Sequence, residues 1–324
     1  MRMKMLIPWL ALIGAAAPLP GAARTIPAVT LVGADAISGP QHDAAPAFAV
    51  DGHEVWFGRS DGTHSTILVS RLAGGRWSVP RTASFSGHWS DMEPAMSPDG
   101  RFLVFVSNRP ADGVGPPLDG HFMRKSFPGG GGNLWRVERT ADGWSVPVRL
   151  PDVVNSDSST FAPSVAVDGS LWFMHPVDGG RRFRLYRAPW RGDRFEVPRP
   201  LPFSDGTATD VDPAVAPDES FVVFGSSRSP ARGIDLFIAF RRGATWGAPQ
   251  HLGDVVNGAG SDAEARLSPH AHTLYFSSDR RSTAAADRDE AWNNGKYNIW
   301  RFDLSGVLQA HAGMAGAPGA MASP

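Results

Sequence analysis

One motif recurs five times along this chain of 324 residues, and it restricts the possible folds more than any other feature. Aligned on a proline, the copies read "DAAPAFAVDGHEVWFGR", "DMEPAMSPDGRFLVFVSNR", "TFAPSVAVDGSLWFMH", "DVDPAVAPDESFVVFGSSR" and "DAEARLSPHAHTLYFSSDR". The anchors are Pro46, Pro94, Pro163, Pro213 and Ala265, spaced 48, 69, 50 and 52 residues apart. The long interval holds an insertion, "PADGVGPPLDGHFMRKSFPGGGG". Each copy reads as strand, tight turn, strand. Asp51-Gly52, Asp99-Gly100 and Asp168-Gly169 are hairpin dipeptides, and Asp218-Glu219 and Pro269-His270 take the same place in the last two copies. The runs "EVWFG", "FLVFVS", "LWFMH", "FVVFGS" and "TLYFSS" that follow are apolar on both faces, as in a sheet covered on both sides. A third strand carries Ile67-Leu68, Leu134-Trp135, Leu185-Tyr186, Leu236-Phe237 or Ile299-Trp300. A fourth holds Pro80, Pro147, Pro198 or Pro249, and proline belongs on a sheet edge.

Four antiparallel strands at a period near fifty residues make one blade of a β-propeller. The expected fold is all-β: a five-bladed propeller over residues 24–304. The fifth copy ends after its third strand, near Leu304, and "TIPAVTL" (Thr25 to Leu31) is free to supply the missing outer strand. That pairing closes the ring without a free seam. A sixth blade needs about 40–50 further residues, which neither insertion provides, and an open solenoid leaves sheet edges unpaired.

The stretch "EPAMSPDGRFLVFVSNR" followed by "NLWRV" resembles the TolB-like propeller repeat, a relative of the WD-repeat propellers. The resemblance covers nearly all of Thr25 to Leu304. It implies a propeller and two classes of function, because the repeat serves in scaffolds and beside catalytic domains alike. Neither the extra α/β domain of TolB nor serine-peptidase chemistry is expected here.

The acids before the anchor and the arginine after the second strand come and go together. The second copy has Asp91, Glu93 and Arg109; the fourth has Asp210, Asp212 and Arg228; the fifth has Asp262, Glu264 and Arg280. The first keeps Asp43 and Arg59, and the third has Thr160, Ala162 and His175 instead. In an antiparallel pair the start of one strand lies beside the end of the next. Both acids are therefore expected beside the arginine, as a repeated structural ion pair. The same seven carboxylates would also crowd one mouth of the central channel. An acidic funnel of this kind suits a small ligand, an oligosaccharide or Ca²⁺, and no other cofactor is expected. The expected function is binding, either as a protein-interaction scaffold or for a small ligand. The alternative is a carbohydrate-active enzyme, a glycoside hydrolase or lyase, using channel carboxylates. Inverting hydrolysis needs two carboxyls about 6.5–9.5 Å apart.

Other candidates are fewer. Trp89 and Trp292 fall outside the repeat pattern and are candidate loop contacts. His42 and His88 precede the first two acid motifs. His270 and His272 sit two apart on a hairpin, without further ligands to complete a metal site. Gly129 to Gly132 precede a strand rather than a helix, which removes the phosphate-cradle reading.

Arg2 and Lys4, the apolar run Leu6 to Ala17 and the small residues Gly21 to Ala23 have the layout of a secretory signal peptide over residues 1–23. The protein is therefore expected to be exported, periplasmic or secreted, and monomeric, with no membrane insertion after cleavage. It has no cysteine, so core packing alone must hold the fold. Without residues 1–23 there are 29 basic and 32 acidic residues, which argues against nucleic acid as a partner. Residues 305–324, rich in Ala, Gly and Pro, are expected to be a disordered tail.

Overall fold

The computed structural model describes residues 28–231, 233–258, 260–281 and 294–316. The expected signal segment (residues 1–23), Trp292 and residues 317–324 lie outside the described residues.

Five antiparallel sheets form a closed ring. Their innermost strands are His42–Phe48, Asp91–Met96, Phe161–Val165, Asp210–Val215 and Asp262–Leu267, in blades 1 to 5. Each packs against the next, and the fifth returns to the first. In blade 5 the outer strand is Thr30–Leu31, with Thr30 opposite Arg301 and Leu31 opposite Trp300. The two ends of the folded chain thus share one sheet, which leaves no open edge at the seam.

The second strand of every blade contributes one phenylalanine to the same layer. Phe57, Phe105, Phe224 and Phe276 are 0% exposed and Phe173 is 2%. Burying each contributes roughly 1.5–3 kcal/mol relative to leaving it in water. The outer strands are broken where proline was expected at the edge. In blade 2 the edge consists of Gly143–Trp144 and Val148–Arg149, on either side of Pro147. Blades 1 and 4 repeat the break at Pro80 and Pro249. The missing N–H and the kink make a poor template for another chain.

The expected tail departs from the prediction over its first part: Ser305–Gly316 is an α-helix, α1. Leu304 accepts the first helical hydrogen bond from Leu308 at 3.0 Å. The Asp303 carboxylate accepts the Ser305 N–H at 2.8 Å, satisfying a donor at the helix start. Val307 and Leu308 pack on the blade 4–5 core, and the His311 ring stacks on Phe240. Composition alone hid these local anchors. Among the described residues no helix is long and apolar enough to cross a membrane.

The insertion in blade 2 forms a hairpin, Gly120–Phe122 with Lys125–Phe127. Phe122 stacks on Phe127 and meets Phe161 edge-on, which ties the hairpin to blade 3.

Candidate functional site at the channel mouth

All five inner strands carry a bulge at the same place. Ala45, Glu93, Ala162, Asp212 and Glu264 have φ of 49°, 54°, 52°, 54° and 51°. At these positions the register between the first and second strands slips. A bulge re-aims the side chain it carries. The two acids of each motif therefore separate, although strict strand alternation would put them on one face.

The first acid turns into the blade. Asp43 meets Arg59 at 2.6 Å, Asp91 meets Arg109 at 2.7 Å, Asp210 meets Arg228 at 2.7 Å and Asp262 meets Arg280 at 2.6 Å. Each of these arginines also donates to a backbone carbonyl of the segment entering its blade: Ala36, Phe85, Phe203 and Val256 respectively. Each lies over the layer phenylalanine of its own blade, at 5.4, 5.4, 5.3 and 4.9 Å. The arginine thus fastens the incoming segment to the sheet. Burial pushes Asp43 up to about 6 against the pull of Arg59, and raises Asp91 against Arg109. Direct contact with a guanidinium, charged at any ordinary pH, keeps these carboxylates ionised near neutrality. Blade 3 makes a related contact from different residues. His175 lies 3.2 Å from Asp157, and the acid comes from the entering segment rather than the strand.

The second acid turns into the channel. Glu93, Asp212 and Glu264 converge from blades 2, 4 and 5 with Arg266, which is only 5% exposed. Arg266 Nε donates to Pro94 O of blade 2 at 3.4 Å, so the guanidinium reaches across the channel. Burial first, then the charges of Asp212 and Glu264, push Glu93 up to about 8. Burial, then Asp212, pushes Glu264 up to about 7. Burial also raises Asp212, against the Glu264 N–H and Arg266. The three carboxyls together thus carry fewer than three negative charges at neutral pH. The four first-position aspartates, expected in the funnel, are withdrawn from it by their arginines.

Two of the channel acids also join neighbouring blades. Glu93 accepts the Ala162 N–H at 2.6 Å and Asp212 accepts the Glu264 N–H at 2.9 Å. Serines do this elsewhere: Ser164 Oγ accepts from Val215, Ser277 Oγ from Ala45 and Ser90 Oγ from Ser65. Glu264 also feels the Ser277 hydroxyl, which draws its carboxyl down against burial.

The channel is wider above this cluster than below it. The upper mouth is a cavity of about 350 Å³ lined by His42, Ser60, Thr63, Met92, Glu93, Gly130, Glu264 and Tyr297, among others. The lower cavity, about 60 Å³, is bounded by the far ends of all five inner strands and by Arg266. His42 is held below its usual range by burial and by Lys296, and its Nδ1 accepts the Tyr297 N–H at 3.1 Å. Gly129 and Gly130 line the mouth through the blade 2 insertion. Trp89 is half-buried against His88 and does not line the mouth. His270 and His272 lie at the opposite end, by α1. Among the described residues no three His, Asp or Glu side chains are grouped as a metal site.

Two features escaped the sequence reading. Arg266 occupies the position after the anchor, where the other copies have Ala47, Ala95, Ser164 and Ala214. A large cation among four small residues was the available signal. Gly58-Arg59-Ser60-Asp61-Gly62 also matches the pattern G-x-S-x-G. It runs from the second strand into a β-turn rather than a helix, and Ser60 Oγ accepts the Gly62 N–H at 3.0 Å. That geometry is not a nucleophile elbow.

No family model matches the chain, and no curated protein matches it. Solved structures do. A thermostable family-43 glycoside hydrolase aligns with a TM-score of 0.52 at 10% identity, over 82% of this chain and 90% of that one. TolB from Acinetobacter baumannii aligns at 0.46 and 13% identity, over 82% of this chain and 55% of that protein, so this chain spans about half its length. A gluconolactonase from Xanthomonas campestris aligns at 0.47 and 16% identity, over 89% and 88%. At such identities the likeness to the first shows the propeller fold alone, which enzymes and non-enzymes share.

Proposed function

We propose that this protein is an exported β-propeller whose function is binding, with the ligand entering the upper mouth of the channel. The observation that carries the reading is the mouth itself: a cavity of about 350 Å³ that opens onto Glu93 and Glu264. Binding sites are concave and carry a few convergent polar groups, and this size lies within their range of about 300–1,000 Å³. The sequence adds the signal-peptide layout, which supports export. A thermal-shift screen of neutral, anionic and cationic small molecules tests the reading. Met92→Trp fills the mouth, and it should abolish the shifts seen with the wild-type protein. Ligands that stabilise both proteins equally would overturn the reading.

A carbohydrate-active enzyme is the second reading. It is favoured by Glu93, pushed up to about 8 beside Asp212, since a neutral acid next to a carboxylate is the pairing that glycoside hydrolysis uses. The inter-blade hydrogen bonds of Glu93 and Asp212 weigh against it. Product analysis over a set of oligosaccharides decides the matter: turnover lost in a folded Glu93→Gln variant supports the enzyme, and absence of turnover leaves binding alone.

A further inference from the structure

Blade 2 carries the long insertion: its anchor and the next lie 69 residues apart, against 48, 50 and 52 between the other anchors. In a repeat protein, insertions map to loops on one face, often the face that binds. Here the insertion builds the hairpin Gly120–Phe122 with Lys125–Phe127, and it reaches the upper mouth through Gly129 and Gly130. Phe122 pairs with Lys125, so Met123 and Arg124 alone make the turn. Both have positive φ, 52° and 57°. A two-residue turn of this kind favours Asn-Gly, so a methionine followed by an arginine is held there against local preference. Side chains kept in a costly conformation at a surface point to a role for those side chains.

The frame around the turn is firm. Phe122 stacks on Phe127 at 4.4 Å and lies 5.6 Å from Phe161 and 5.8 Å from Phe183, both of blade 3. The His121 N–H donates to Ser159 Oγ at 3.0 Å, and Ser158 Oγ donates to Asp119 O at 2.6 Å. Gly180, in the blade 3 turn 178–181, comes so close that a Cβ there would lie 3.0 Å from Phe122 Cα. The hairpin and this turn bound a cleft of about 700 Å³.

The charges of the cleft are matched on one side only. Asp157 and Asp178, on the blade 3 side, are engaged by His175 at 3.2 Å and Arg182 at 3.6 Å. Arg124 and Lys125, on the hairpin side, are exposed and have no carboxylate partner among the described residues. Met123, next to them at the tip, is 63% exposed. A basic wall beside an exposed apolar side chain complements a partner that offers carboxylates and one hydrophobic residue. The concave shape suits a peptide segment, whereas a flat bilayer would reach the tip alone. We propose that this cleft is a docking surface for an acidic segment of a partner protein, with carboxylates on Arg124 and Lys125 and an apolar side chain on Met123. The surface is separate from the channel mouth and needs no ligand there.

Fluorescence anisotropy on the full chain tests the proposal with a dye-labelled library of acidic peptides, each with one central leucine. Copies with every carboxylate replaced by its amide probe charge, and phosphatidylglycerol vesicles probe a lipid surface. At least one acidic peptide should bind, its amide copy should not, and the affinity should fall as salt rises. Arg124→Glu combined with Lys125→Glu should weaken binding at least tenfold, and Met123→Ser severalfold. Met123→Asn combined with Arg124→Gly gives the turn the residues it favours. That turn variant should melt above the wild type and yet bind more weakly, which a purely structural tip would not do. Met92→Trp, in the mouth, should bind the peptide as the wild type does. Melting followed by circular dichroism checks that each variant is folded, and the turn variant suffices if the double glutamate variant is not. Unchanged peptide binding in the turn variant would overturn the role of the tip. Binding lost in Met92→Trp but kept in the tip variants would move the peptide to the mouth and overturn the docking surface. Vesicle binding without peptide binding would overturn the protein partner in favour of a lipid surface. No binding by any acidic peptide overturns the proposal.

Discussion

Asp210 and Asp212 leave the same inner strand two residues apart. Asp210 turns into the blade, where Arg228 holds its two oxygens at 2.7 and 2.8 Å. Asp212 turns into the channel, where Glu93, Glu264 and Arg266 share its surroundings. The first environment matches one acid to one permanent cation. The second crowds three acids around one cation, so protons must stay on. The contrast shows how one motif builds both the fold and the site: the bulge between the two acids divides the labour. The blade-side acids are each matched by a cation, whereas the channel acids crowd like charge that burial and mutual repulsion oppose.

The comparison predicts its own largest effect at Arg109, the most buried of the blade-side arginines at 9% exposed. Arg109→Ala strands Asp91 inside the sheet and should cost about 3–5 kcal/mol, measured by denaturant unfolding. Replacing Asp91 by Asn as well should recover part of that loss, and strictly additive effects would break the pairing account.

Arg266→Met should cost less, and its cost should depend on pH. Without the guanidinium the channel acids lose the cation that offsets them, so the penalty should be small at pH 5, where Glu93 and Glu264 are protonated, and larger at pH 9. A penalty that does not change with pH would show that Arg266 acts through packing alone.

The smallest effect is a gain. The carboxyls of Glu93 and Glu264 are raised in the folded protein, to about 8 and about 7. A raised acid contributes stability that is fully present below its unfolded value and is lost as pH rises through the folded one. The window therefore runs from about 4.5, the value for an unperturbed glutamate, up to about 8. Glu264→Gln does not titrate. It should melt with the wild type at pH 4.5 and about 2–4 °C above it at pH 8.5, if removing the buried charge is worth about 1 kcal/mol. A lower melting temperature at pH 8.5 would contradict the assignment.

The repeat made the architecture legible. Five anchors, edge prolines and the fifth copy's missing strand were enough to expect the pairing of Thr30 and Leu31 with blade 5. The link between the first acid and its arginine was also readable, because both vanish together in the third copy. The fate of the second acid was not. Alternation assumes a flat strand, and nothing in "DMEP" or "DVDP" announces that Glu93 and Asp212 take φ above 50°. Arg266 could have been found by comparing the copies column by column, where it stands among small residues. Helix α1 was hidden because its order depends on partners outside the segment: the Asp303 carboxylate, the blade 4–5 core and Phe240.

The central claim is that one motif holds a structural acid and a channel acid with opposite effects on stability. Calorimetric melting of Asp210→Asn and Asp212→Asn at pH 8 compares them directly. Asp210→Asn should lower the melting temperature clearly, because it removes the partner of Arg228. Asp212→Asn should match or exceed the wild type, because asparagine can still accept the Glu264 N–H while one buried charge disappears. Equal losses in the two variants would contradict the account.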